Sequence, residues 1–117
     1  MKMVVAIIRP EKLEAVQTAL NEREVYLMTV TDVRGCGRQR GYTEVYRGSE
    51  FQVRLLQKLK LEIAVNDAFV EATIEAVVHA ARTPETGQIG DGKIFVMPLD
   101  DCVRIRTGER GTEAIGP

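Results

Sequence analysis

From Lys58 to Val65 the chain alternates without a break. Leu59, Leu61, Ile63 and Val65 fall on one parity, and Lys58, Lys60 and Glu62 fall on the other. Successive side chains of a β-strand project to opposite faces, so this octet is a strand with one face in a core and one face charged. Such a strand needs strand partners at its edges and a layer over its apolar side, which rules out an all-helical chain. The flanking segments supply both. Residues 3–9 are apolar and partly β-branched and read as a strand that Pro10 stops. Pro10 suits the first turn of a helix and Glu11 its positive end. Leu13, Val16, Ala19 and Leu20 then recur at three- and four-residue spacing, which makes 10–22 an amphipathic helix. Val25 to Val33 reads as a second strand. Asn66 or Asp67 is placed to cap a second helix, with the stripe Phe69 or Val70, Thr73, Ile74, Val77 and Ala81. Ile94-Phe95-Val96-Met97 makes a fourth strand.

The order is β-α-β-β-α-β, that of the ferredoxin-like α+β sandwich. Right-handed crossovers put both helices on one face of the sheet, leaving the other face to be polar or covered by another chain. The 117 residues suit a single domain, 1–117, and a hydrophobic fraction of 44% is enough for a core. Sixteen basic residues stand against seventeen acidic ones, a formal charge of -1, so nothing draws the whole chain to nucleic acid or an anionic membrane. Any anion must be caught by a local cluster. No apolar run reaches the roughly 18–20 residues of a membrane helix. The stretch before Arg9-Pro10 is too short for a secretory signal, so the expected location is cytoplasmic without direct membrane insertion. Cys36 and Cys102 lack metal-ligand spacing, and the single histidine, His79, has no partner residues for a structural zinc or a catalytic triad.

Three segments are not accounted for by strands and helices. Gly35 to Arg54 is far longer than an ordinary hairpin loop and carries Arg38, Arg40, Arg47 and Arg54 among Tyr42, Tyr46 and Phe51. It is either a solvated hairpin extension or a partner-binding arm. Thr86-Gly87-Gln88-Ile89-Gly90-Asp91-Gly92-Lys93 satisfies Gly-x4-Gly-Lys. A P-loop is nonetheless rejected, because Ile94 stands where Ser or Thr would hold magnesium and the loop runs from helix to strand. A phosphate-cradling turn of another type, or a purely structural turn, remains. In Arg104-Ile105-Arg106 an extended backbone would aim both guanidiniums the same way, as a phosphate clamp or as a solvated surface pair.

The segments Thr29-Val30-Thr31-Asp32-Val33-Arg34-Gly35, Gly37-Arg38-Gln39-Arg40-Gly41, Tyr46-Arg47-Gly48-Ser49-Glu50, Leu56 to Glu62, Ile89 to Val96 and Val103 to Glu109 occur in this order along nearly the whole chain. Together they resemble the PII nitrogen-regulatory signal proteins. The resemblance implies a homotrimer whose sheets face the centre, with ATP or ADP in each cleft between subunits. The three unexplained segments correspond to that family's T-, B- and C-loops. By matching position, Gly90, Asp91, Gly92 and Lys93 would hold phosphates from one subunit, with Arg104 and Arg106 meeting them from the next. Ile7, Thr29, Gly35, Gly37, Arg38, Glu62 and either Thr83 or Thr86 would complete the nucleotide site. The resemblance also implies 2-oxoglutarate beside magnesium (Mg) and ATP. Gln39 would be the metal ligand, Lys58 would pair with an effector carboxylate, and Gly37 and Gly41 would line that site. The implied partners are ammonium transporters, N-acetylglutamate kinase and enzymes of glutamine synthetase control.

This chain also departs from the family pattern. Phe51 stands where many members carry a tyrosine that accepts a nucleotidyl group, so that modification has no acceptor there; Tyr42 and Tyr46 remain as acceptors, and Ser49 is the candidate for phosphorylation. Ala81-Arg82-Thr83-Pro84-Glu85-Thr86-Gly87 is three residues longer than the usual approach to the glycine loop and places Glu85 near the expected phosphates. Leu27 replaces a frequent glycine, and Arg54 a frequent acid. The competing class is a small ATP-hydrolysing or phosphotransfer enzyme, with Asp91, Glu62 or Glu85 as base. An RNA-recognition domain has the same element order, but 5% aromatics and a slightly acidic charge argue against nucleic acid.

Overall fold

The computed structural model describes residues 1–36 and 54–116; the expectations placed on Gly37, Arg38, Gln39, Gly41, Ser49 and Phe51 lie outside them. Four strands, β1 (Lys2–Ile8), β2 (Thr29–Cys36), β3 (Leu55–Val65) and β4 (Gly92–Pro98), form one antiparallel sheet in the order β2-β3-β1-β4. Helices α1 (Leu13–Glu22) and α2 (Val70–Ala81) each follow a single 3-10 turn, and a short α3 (Thr112–Ile115) ends the described chain. The alternation read from the sequence is the architecture of β3. Leu59, Leu61, Ile63 and Val65 are buried and pack with Val4, Ala6 and Ile8 of β1 against Val16 and Leu20 of α1 and Ala76, Val77 and Ala81 of α2. Thr73 lies within this core because its hydroxyl donates to the Phe69 carbonyl at 2.7 Å, so that hydroxyl is not left unpaired.

Two expectations need correcting. The second strand does not begin at Val25. Glu24 takes a positive φ of 63°, and Val25 donates its N–H back to the Leu20 carbonyl at 3.0 Å, so the chain turns off α1 with Val25 buried in the core. Pairing with β3 starts only at Thr29, opposite Glu62, and runs on to Cys36. Nor does either candidate side chain cap α2. Asp67 instead accepts from the N-terminal amine at 2.8 Å. Asn66 donates its amide to the carbonyls of Thr112 at 3.3 Å and Gly116 at 2.6 Å, tying α3 to the end of β3.

Residues paired directly across antiparallel strands share a face. The register therefore sets Thr31, Lys60, Ile7 and Lys93 in one row on the face away from the helices, with Thr29, Glu62, Val5 and Phe95 in a neighbouring row. This is the open face anticipated from the element order. It mixes charge with exposed apolar groups, Phe95 and Met97 among them.

Candidate functional site

The segment from Arg82 to Gly92 joins α2 to β4 and is organised around one carboxylate. Asp91 Oδ2 accepts the backbone N–H groups of Thr83 and Gln88, each at 2.9 Å, while Oδ1 accepts the Thr83 hydroxyl at 2.6 Å and Arg9 Nε at 3.0 Å. Burial works to raise its pKa. The hydrogen bonds from Thr83, Gln88 and Arg9 outweigh that and hold the carboxyl well below the usual carboxylate range. Arg9 also donates to the Ile89 carbonyl at 3.0 Å, and Lys58 Nζ reaches the Gly90 carbonyl at 2.6 Å. The glycine loop is thus held to the sheet by cations from β3 and from the residue after β1.

Pro84, Glu85 and Thr86 are bridged by Gly87 donating to the Thr83 carbonyl at 2.8 Å. All three residues, Glu85 among them, are exposed. The two threonines of this segment have different surroundings. Thr83 holds Asp91, whereas Thr86 lines a separate cavity of about 620 Å³ between the loop and α2. Gly92 tolerates no substitution on geometric grounds. Its φ is +115°, and a Cβ there would lie 1.7 Å from the Ile7 carbonyl oxygen.

On the open face of the sheet, beneath the loop, lies a cleft of about 440 Å³. Ile7, Gly35, Lys58, Gly90, Gly92 and Lys93 line it, and Cys36, Leu56 and Phe95 widen its apolar part. Desolvation, and after it the neighbouring Arg9 charge, lower the Lys58 pKa, against the opposing pull of Glu11 and Asp91. The cleft therefore presents positive charge with backbone that glycine alone can bring close, a surface suited to an anion. Among the described residues no helical N-terminus contributes. Arg9 was not singled out in the sequence, where it reads only as the residue between a strand and a proline. Its position at the end of a strand adjoining the glycine loop is the signal that could have found it.

The arginine pair is not arranged as expected. Residues 105–107 form a turn, Val103 bridges Arg110, and Arg104 accepts from Gly108 and donates to Glu109 through its backbone. An extended run with two parallel guanidiniums is therefore absent. The Arg104 side chain faces inward, donating to Glu109 Oε1 at 2.6 Å and to the Glu113 and Ala114 carbonyls at 2.9 and 3.4 Å. Arg106 is exposed and makes no hydrogen bond or ion pair among the described residues.

Ile7, Gly35, Lys58, Thr83, Gly90, Asp91, Gly92 and Lys93 thus gather at one end of the sheet. Thr29 and Glu62 sit further along the open face. Arg104 belongs to the opposite end, on the α3 turn that Asn66 holds. Lys58 and Asn66 are eight residues apart, mostly along β3, or about 26 Å at roughly 3.3 Å per residue. No side chain of one copy spans that distance.

A family model described as nitrogen regulatory protein P-II matches residues 1–109. The chain is 57% identical over 115 residues to the nitrogen regulatory protein P-II of Synechocystis sp., an alignment covering 98% of this chain and 100% of the relative. It is 53% identical over 115 residues to nitrogen regulatory protein GlnK1 of Methanosarcina mazei, covering 98% and 97%. It is 55% identical, again over 115 residues and with 98% and 100% covered, to the P-II protein of Nostoc punctiforme.

Proposed function

Because the chain belongs to the nitrogen regulatory protein P-II family, whose matching members are named as regulators rather than enzymes, we propose that it is a homotrimeric sensor. It binds ATP or ADP between subunits, takes up 2-oxoglutarate in the presence of magnesium, and regulates a target protein through residues 37–53. The observation that carries this reading is the separation of the two cationic clusters. The glycine loop with Lys58 and Lys93 lies at one end of the sheet, and the arginine turn lies at the other. Only a second copy brings an arginine turn to a glycine loop, and the exposed apolar groups of the open face give the copies a reason to associate.

In such a cleft Lys93 and the amides of Gly90 and Gly92 offset phosphate charge from one side, and Arg106 with Arg104 from the other. Ile7, Thr29 and Glu62 line the open face along which the rest of the nucleotide extends. Among the described residues no three His, Cys, Asp or Glu side chains form a metal cluster. Magnesium, a hard cation, would be held mainly by ligand oxygens, with Gln39 as the protein's contribution. Magnesium lowers the repulsion between a triphosphate and a dicarboxylate. Lys58 exchanges the Gly90 carbonyl for an effector carboxylate, and by linkage each ligand tightens the other. Gln39 stands near the start of 37–53, so engaging it selects among arrangements of that segment.

The enzyme alternative loses its best-placed base, since both Asp91 oxygens are already engaged and Glu85 does not line the cleft. No helix among the described residues is long and apolar enough to cross a membrane, and a cytoplasmic setting is part of the proposal. The target belongs to the nitrogen-assimilation class: an ammonium transporter, N-acetylglutamate kinase or a glutamine synthetase control enzyme.

The test is calorimetric titration of the native oligomer, its mass fixed by light scattering, with ATP and magnesium at several 2-oxoglutarate concentrations. The expected result is a trimer in which 2-oxoglutarate tightens ATP binding. A monomer, or a trimer that binds no nucleotide, overturns the reading. Binding without coupling removes the 2-oxoglutarate part alone.

A further inference from the structure

Arg104 already has an anion. Its guanidinium meets Glu109 Oε1 at 2.6 Å, the same oxygen that accepts the Thr107 hydroxyl at 2.8 Å, and Arg104 returns a backbone bond to the Glu109 carbonyl at 2.9 Å. The pair is not sealed from solvent: the two side chains are 34% and 41% exposed. Glu109 is the one carboxylate on this guanidinium among the described residues, and Arg106 stands two residues away on the same turn. An approaching phosphate therefore meets a cation that is already neutralised, with a like charge beside it.

We propose that Glu109 is an affinity-setting residue, an internal carboxylate that competes with nucleotide phosphates for Arg104 and restrains binding in proportion to phosphate charge. The inference rests on the nucleotide reading above and assigns a new residue to that site. A sensor responds only where its dissociation constant is close to the ligand concentration, and a competing carboxylate is a simple means of weakening an otherwise strong anion site. The backbone bond between Arg104 and Glu109 holds the turn whether or not the side-chain pair is made. The carboxylate can therefore release Arg104 without the turn unfolding.

Glu109→Gln removes the charge and keeps the shape. With wild type and variant compared as intact oligomers, ATP affinity is expected to rise about threefold to fivefold, the equivalent of releasing one exposed ion pair. The gain should be smaller for ADP, smaller again for AMP, and reduced in 0.5 M potassium chloride because the competition is electrostatic. Glu113→Gln is the control, since its carboxylate is not on Arg104; only its backbone carbonyl is. That variant should bind as wild type does. Unchanged or weaker ATP binding by Glu109→Gln, with mass and far-ultraviolet dichroism intact, overturns the proposal and makes Glu109 a positioning residue or a bystander. An equal gain in Glu113→Gln also overturns it, by reducing the effect to bulk charge. If wild type binds no nucleotide, the functional reading falls and this inference falls with it.

Discussion

Replacing Asp91 with alanine removes the acceptor of four hydrogen bonds: from the Thr83 amide, the Thr83 hydroxyl, the Gln88 amide and Arg9. Bonds to a charged group contribute roughly 1.5–3 kcal/mol each, but a simple sum overshoots, because water reaches donors at this partly exposed site. A net local cost of about 3 kcal/mol follows, close to the lower end for breaking a partly enclosed ion pair. That corresponds to an opening of the loop roughly a hundredfold more frequent. Amide hydrogen exchange read residue by residue is the assay, because the loss is confined to one segment. Exchange at Thr83 and Gln88 should accelerate about a hundredfold, while the β1–β3 ladder stays protected and nucleotide affinity falls. The pH dependence has a definite sign. The folded pKa lies below the ordinary value of 3.8, so the stabilisation is complete above 3.8 and is lost as pH falls through the depressed value. The loop should therefore survive mild acid. Unchanged exchange at both amides in Asp91→Ala would refute the claim that this carboxylate organises the loop.

Gly92→Ala should cost more than about 3 kcal/mol in chemical denaturation, since its Cβ would meet the Ile7 carbonyl at 1.7 Å and backbone cannot yield that far. A soluble variant with wild-type stability would show that the start of β4 is looser than its pairing with β1 implies. Asn66→Ala should cost about 1–2 kcal/mol by orphaning the Gly116 carbonyl, and should speed tryptic cleavage after Arg110 by freeing α3. Equal cleavage rates would mean that Arg104 alone holds the turn. Lys58→Met keeps the stem and removes the ammonium that reaches the Gly90 carbonyl. ATP should still bind, and 2-oxoglutarate should no longer tighten it; retained coupling would place the effector carboxylate elsewhere.

Much of this protein was legible in the order of its residues. The period-two pattern of β3, the strand ended by Pro10 and the three- and four-residue spacing of α1 are local properties, and they specify a two-layer sandwich with one bare sheet face. The glycine loop was visible as well, because Gly92 and Lys93 announce close backbone approach and charge without reference to distant contacts. The sequence misled where a side chain had two uses. Asn66 and Asp67 look like helix caps, but the amide holds α3 and the carboxylate holds the N-terminus. Arg104 and Arg106 look like a parallel pair only while the backbone between them is taken as extended.

What the sequence determined by itself was therefore the element order, the buried parity of β3 and the place of the glycine loop. Tertiary structure alone decided that Arg9 and Lys58 hold that loop, that Thr83 rather than Thr86 faces Asp91, and that Glu109 neutralises Arg104. It also decided that the two cationic clusters sit at opposite ends of one sheet. The physical reason is range. Periodicity and propensity act between residues a few positions apart, whereas Arg9 and Asp91 are separated by 82 positions and meet only because β1 and β4 pair.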